Sequence, residues 1–185
     1  MILNKFPAID YDGYKIPNLM IDLGLTYDLI KSQFTHRSYT IVGAPRPEQL
    51  STGIYNTPDY EWVLMLINGC IDPWYGWLKE DDVVRAYADK KYASFGGANG
   101  VHHYYDPITE DEYFNVSKPD PLVDEWYNTL DTDKVALQFE GVLIPITNVE
   151  FEINENEKLR KIMIIPPEEI GAFVETFERV QNGRS

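Results

Sequence analysis

Hydrophobic positions cluster in two strongly patterned regions of this chain, separated by a less regular middle. Residues 62–67, "WVLMLI", are apolar without interruption. A surface helix shows a polar face, so a helix here must be wrapped on more than one side. Thr57 as N-cap, Pro58 as first residue and Asp59 in the first turn mark its start, and Asn68-Gly69 its end. A shorter helix is predicted just before it. Pro47 suits its first position, Glu48 favours its dipole, and Leu50 and Ile54 lie one turn apart on its inner face. Tyr39, Ile41 and Val42 precede it as a short strand ended by Gly43 and two prolines. The second patterned region is C-terminal. "RKIMIIP" reads as a buried strand, and Pro167 opens a last helix whose stripe is Ile170, Phe173, Val174, Phe177 and Val180.

Between them the pattern is mixed. "KEDDVVRAYADKKY" reads as a charged helix and "GGANG" as a turn. "VHHYYDPITEDEYFNV" has the alternation of a β-hairpin. "SKPDPLVDEWYNTLDTDK" is rich in turn residues and reads as a surface excursion, and "VALQFEGVLIPI" as a strand pair or one bent strand. Thr147 and Glu150 fit a capping box for a helix to about Arg160, although Val149, Phe151 and Ile153 also alternate as in a strand. At the other end, Pro7, Gly13 and Pro17 break any helix over residues 1–20. Ile2, Leu3, Phe6, Ile9, Tyr11, Tyr14 and Ile16 make that arm too apolar for a free tail. The fold class is α+β.

Charge narrows the function. Thirty acidic against 16 basic residues give −14, and no stretch gathers enough Lys and Arg to reverse that locally. Nucleic acid and anionic membrane are poor partners for such a surface. No apolar run reaches the length of a membrane span, and the N-terminus lacks the apolar core of a signal peptide. Cys70 is the single cysteine, so no internal disulfide forms, and it reads as a buried small hydrophobe.

Candidate chemistry is sparse. His102, His103 and Asp106 are the best metal or acid–base group. Adjacent strand residues point to opposite faces, so both histidines reach one ion only across a bulge. His36 stands beside Arg37 without a triad signal, and no nucleophile elbow, phosphate loop or zinc-protease motif is present. No catalytic residue, cofactor site or metal site is expected. Arg46, between two prolines, presents its guanidinium from a rigid setting to a carbonyl, to Asp72 or to a partner.

Two families are matched by motif. The strand, two helices and extended segment over residues 38–78 resemble a LysM-type βααβ module, whose sugar-binding members grip N-acetylglucosamine chains with loops that here would be "GAPRPEQ" and "NGCIDPWYGW". The first lacks the Gly-Asp-Thr start of those members. A longer signature, "PRPEQL…IYNTPDYEWVLMLINGCIDPWYGW" with "NEKLRKIMII" at 156–165, resembles the small baseplate wedge subunit of contractile-tailed, T-even-like bacteriophages. Its shared positions are residues 45–48, 54–55, 62–64 and 72–77.

This resemblance implies a structural component of the virion tail baseplate, assembled in the host cytoplasm, that locks neighbouring wedges together around the hub. It implies contacts with other wedge proteins and with inner baseplate and sheath-initiating proteins, and neither catalysis nor a cofactor. A LysM-type cell-wall glycan-binding tail protein is the alternative. The expected divisions are an arm over 1–36, a LysM-like module with its following helix over 37–93, a hairpin and loop region over 94–145, and a helix–strand–helix segment over 146–185. Leu50, Ile54, Val63, Leu64 and Ile67 are expected to close the core. Arg46, Trp74, Tyr75 and Trp77 are expected at a partner interface, where Trp, Tyr and Arg are favoured anchors.

Overall fold

The computed structural model describes residues 8–18, 22–131, 133 and 136–183. In chain order its strands are β1 (Ala8–Tyr11), β2 (Tyr14–Pro17), β3 (Arg37–Thr40), β4 (Val101–Tyr105), β5 (Glu112–Tyr113), β6 (Val116–Ser117), β7 (Glu125–Asn128), β8 (Leu137–Glu140), β9 (Ile144–Thr147) and β10 (Lys161–Ile164). Its α-helices are α1 (Leu23–Ile30), α2 (Pro47–Tyr55), α3 (Glu61–Ile67), α4 (Asp81–Lys91), α5 (Asn148–Lys158) and α6 (Ile170–Asn182). The class is α+β, as expected. Contacts divide the chain into two units, one formed by the residues up to Lys79 with those from Lys158 onward, the other by Glu80–Glu157.

In the first unit α3 is the centre. Trp62, Val63 and Leu64 are fully buried, and α6 lays Phe173 and Phe177 against them, with the Trp62 and Phe177 rings 5.1 Å apart. Helix α3 is shorter than its caps suggested. Thr57 accepts from the Asp59 N–H, but Pro58–Tyr60 form a 3₁₀ turn before the α-helix begins at Glu61. Gly69 supplies the left-handed residue after its end, at φ +65°. Helix α6 also starts later than Pro167. Residues 166–169 form a turn, and the Glu169 carboxylate accepts from Thr35 N at 2.8 Å and from its hydroxyl at 2.9 Å.

The partner of β3 is a correction. The βααβ reading closed the sheet with the segment ending at Leu78, whereas β3 pairs antiparallel with β10, Tyr39 opposite Ile162. Residues 70–78 cannot extend because Asp72 and Gly76 close a turn there. Asn68 fixes β10 at the end of α3: its side chain donates to the Met163 carbonyl and accepts the Met163 N–H, both at 2.8 Å. Tyr55, pushed up to about 12 by burial, donates its hydroxyl to the Ile165 carbonyl.

The arm is also more structured than expected. Asp22 caps α1 by accepting from Gly24 N at 2.8 Å, and Leu23, Thr26 and Ile30 bury one face. Before it, β1 and β2 form a hairpin with Ile9 opposite Ile16 and Tyr11 opposite Tyr14, all four exposed. Ile2, Leu3 and Phe6 lie outside the described residues.

In the second unit Ala88 of α4, Ala98 and Val149 of α5 share a small core. The capping box holds: the Glu150 carboxylate accepts from the Thr147 N–H and hydroxyl, so helix wins over strand for α5. Two three-stranded antiparallel sheets follow, ordered β5-β4-β9 and β6-β7-β8. The hairpin over residues 101–116 is present as β4 and β5. The "DEWYN" segment, read as a surface excursion, is instead the central strand of the second sheet, with Trp126 buried beside Val116 and Leu143. Strands β8 and β9 lie in different sheets and do not pair with each other.

Candidate functional site

The loop after α3 is held at both ends. At its start, Cys70 N donates to the Met65 carbonyl at 2.8 Å, and the Cys70 side chain is buried. Burial, followed by the charge of Asp72, raises the Cys70 thiol above its ordinary pKa and keeps it protonated. Asp72 then organises the turn. Its carboxylate accepts from Trp74 N at 2.8 Å, and its carbonyl accepts from Gly76 N at 2.7 Å. A Cβ at Gly76 would be crowded, 3.1 Å from both the Asp72 carbonyl and the Cys70 sulfur.

At the far end Trp77 and Leu78 turn inward. Trp77 is 4% exposed and donates its indole N–H to the Pro45 carbonyl at 2.9 Å. Lys79 donates to the Trp77 carbonyl at 3.1 Å, and burial lowers its pKa. Between these anchors Trp74 is 78% and Tyr75 73% exposed, and Ile71 beside them is 91% exposed.

Of the four residues expected at an interface, the structure therefore separates one. Trp77 belongs to the core with Leu50, Val63 and Leu64, because the turn at Asp72 reverses the chain and points the third ring inward. Arg46 is exposed at the mouth of α2, where its backbone N–H donates to the Gln49 side chain. Among the described residues no hydrogen bond or ion pair joins it to Asp72, whose carboxylate is used in its own turn. Ile71 was missed from the sequence, where nothing distinguishes it from the core residues before it.

The split between Trp77 and Trp74 has a measurable consequence. Trp77→Phe removes the bond to Pro45 and part of a buried ring, and is expected to cost about 1–3 kcal/mol in urea denaturation. Trp74→Phe, on an exposed ring, is expected to stay within about 0.5 kcal/mol of the parent.

The histidines take an arrangement that strict alternation would forbid. A register shift between Val101 and His103 brings the two Nδ1 atoms to 2.9 Å, a contact with one donor and one acceptor. His102 stacks on Phe151 at 3.8 Å, and burial followed by the His103 charge lowers its pKa. Asp106 is not their partner: it caps its own turn, accepting from Ile108 N and the Thr109 hydroxyl. Among the described residues no group of three or more His, Cys, Asp or Glu side chains is placed to hold a metal ion. His36 accepts from or donates to the Tyr27 hydroxyl at 2.8 Å, a structural contact. No helix among the described residues is long and apolar enough to cross a membrane.

The family model described as "Base plate wedge protein 53" matches residues 4–180. The chain belongs to this family. It is also 34% identical over 144 residues to the "Baseplate wedge protein gp53" of Enterobacteria phage T4, covering 78% of this chain and 72% of that relative. The wedge-subunit resemblance carried by residues 45–77 thus extends over nearly the whole sequence. The protein is a structural component of a phage tail baseplate wedge.

Proposed function

We propose that this wedge protein joins neighbouring wedges around the hub by seating the face formed by Ile71, Trp74 and Tyr75 in another baseplate subunit. The supporting observation is the pairing of high exposure with fixed geometry: two aromatic rings about three-quarters exposed on a loop clamped by buried residues at each end. A loop already ordered before binding avoids the entropy cost that a flexible one meets on docking. Trp and Tyr at the centre of a patch are the side chains that dominate association energy. In this reading Arg46, next to the Pro45 that accepts the Trp77 indole N–H, adds a charge to the contact, and the exposed β1–β2 hairpin supplies a second one.

In this reading the partners are other wedge proteins, neighbouring wedges and inner baseplate and sheath-initiating proteins, met in the host cytoplasm. No catalytic role is part of it. Strand β3 and helices α2 and α3 follow one another in the chain, and β10, from beyond residues 80–157, pairs with β3. We read that arrangement as a scaffold that presents the loop, and not as a glycan grip.

The test is negative-stain microscopy of lysates from a phage with this gene disabled. Accumulated wedge fragments without closed baseplates are expected. Complete tails that fail only to attach would overturn the joining role and favour cell-wall glycan recognition, which co-sedimentation with insoluble peptidoglycan would then show.

A further inference from the structure

The charge of this protein is confined to one unit. Residues 80–157 hold eighteen acidic and five basic side chains, a net of −13 out of the chain's −14. Within that unit the sheet β6-β7-β8 has two faces. Trp126 and Phe139, opposite each other, pack inward with Val116 and Leu143. Strand periodicity puts Glu125 and Tyr127 on the other face. There an open cleft of about 340 Å³ is lined by Pro119, Asp120, Val123, Glu125 and Tyr127.

The cleft combines apolar side chains with negative charge that no ion pair among the described residues neutralises. Glu125 stands directly opposite Glu140 across β7 and β8. Like charges in that position oppose strand pairing. The nearby cation, Lys118, is already engaged with Asp124 at 2.7 Å. Glu125 accepts the Tyr127 hydroxyl at 2.6 Å, and both side chains line the cleft. The Asp120 carboxylate accepts the Leu122 N–H at 2.9 Å, a bond within its own turn.

We propose that this cleft is a docking socket for an arginine-bearing extended segment of another protein subunit. The guanidinium would lie over Tyr127 between Glu125 and Glu140, with its alkyl stem on Pro119 and Val123. Arg fits better than Lys, because its planar fork matches two carboxylates and stacks on an aromatic face. The surrounding charge of the unit steers a cationic segment inward and repels phosphate-rich partners. The proposal rests on the assembly reading only for the partner being a protein.

The experiment uses the full chain and a capped, fluorescein-labelled hexapeptide alternating Arg and Leu, followed by fluorescence anisotropy at 20 and 150 mM salt. Saturable binding is expected, weakened at least tenfold by Glu125→Gln with Glu140→Gln and less than twofold by Asp81→Asn with Asp82→Asn on α4. Because the first pair removes a like-charge contact, it is expected to unfold at a temperature no lower than the parent, so lost binding is not lost folding. Equal weakening by both pairs would reduce the binding to diffuse attraction and overturn the socket. So would no binding, or tighter binding of the Lys–Leu peptide. Each of these failures leaves the wedge-joining role standing, since that is read by microscopy of tails.

Discussion

Replacing Phe173 by Ala is expected to cost about 3–5 kcal/mol, the range for deleting a fully buried aromatic ring. Phe173 is 0% exposed, and its ring lies 5.2 Å from Phe34, 6.3 Å from Tyr27, 6.5 Å from Trp62 and 6.2 Å from Phe177. It is thus the point where α1, the segment before β3, α3 and α6 meet. No single neighbour can collapse into the space without releasing another. Native domains are stable by only about 5–15 kcal/mol, so this one change removes a large share. Urea denaturation checks it, with Glu175→Ala on the exposed side of α6 as control, expected within about 0.5 kcal/mol of the parent. A Phe173→Ala midpoint equal to the control's would mean that α6 does not close this core.

Gly100→Ala is expected to be the most damaging small substitution in the second unit. Its backbone, φ −63° and ψ 151°, suits any residue, so the effect is purely steric. An added Cβ would stand 2.0 Å from the Phe95 carbonyl oxygen and 2.9 Å from Asn148 Nδ2. Those atoms do not yield cheaply. Asn148 is 1% exposed, donates its side-chain amide to the Gly97 carbonyl at 2.8 Å, and gives its backbone N–H to the Gly100 carbonyl at 2.8 Å. The methyl therefore pries the start of α5 from the turn at residues 97–99. A loss of about 3 kcal/mol is expected, at the upper end for overpacking. Limited proteolysis should show new cleavage near residues 93–100 in the variant and none in the parent. An uncut variant of parental stability would contradict the close approach.

What the sequence made legible followed from local physics. The all-apolar run of α3, the stripe of α6 and the Thr147–Glu150 capping box each depend on neighbours within a turn or two, and each is present. Three features were illegible because they are settled at a distance. Strand β10 pairs with β3 across more than a hundred residues, and no local pattern names that partner. Helix α1 was hidden in a supposed arm, although Asp22 with Leu23, Thr26 and Ile30 carried a cap and a spaced face. Strand β7 was masked by the turn residues Pro119, Asp120 and Pro121 just before it, which outweighed the alternation of Trp126 with its neighbours.

The residues expected at an interface show the same limit at finer scale. Trp74, Tyr75 and Trp77 are equivalent in sequence as large rings in the short loop after Pro73. The turn closed between Asp72 and Gly76, together with the Trp77 indole bond to Pro45, leaves two facing solvent and the third in the core. Arg46 was read as a rigidly presented charge from a wholly local setting, two prolines and a helix start, and it is exposed there.

The most direct test is complementation of the gene-disabled phage with a Trp74→Ala, Tyr75→Ala double variant, scored by counting closed baseplates in micrographs after the purified variant's thermal unfolding has been compared with the parent's. Parental unfolding with free wedges and few closed baseplates is the expected result. Closed baseplates at the parental frequency, from a double variant that folds normally, would contradict docking through this loop.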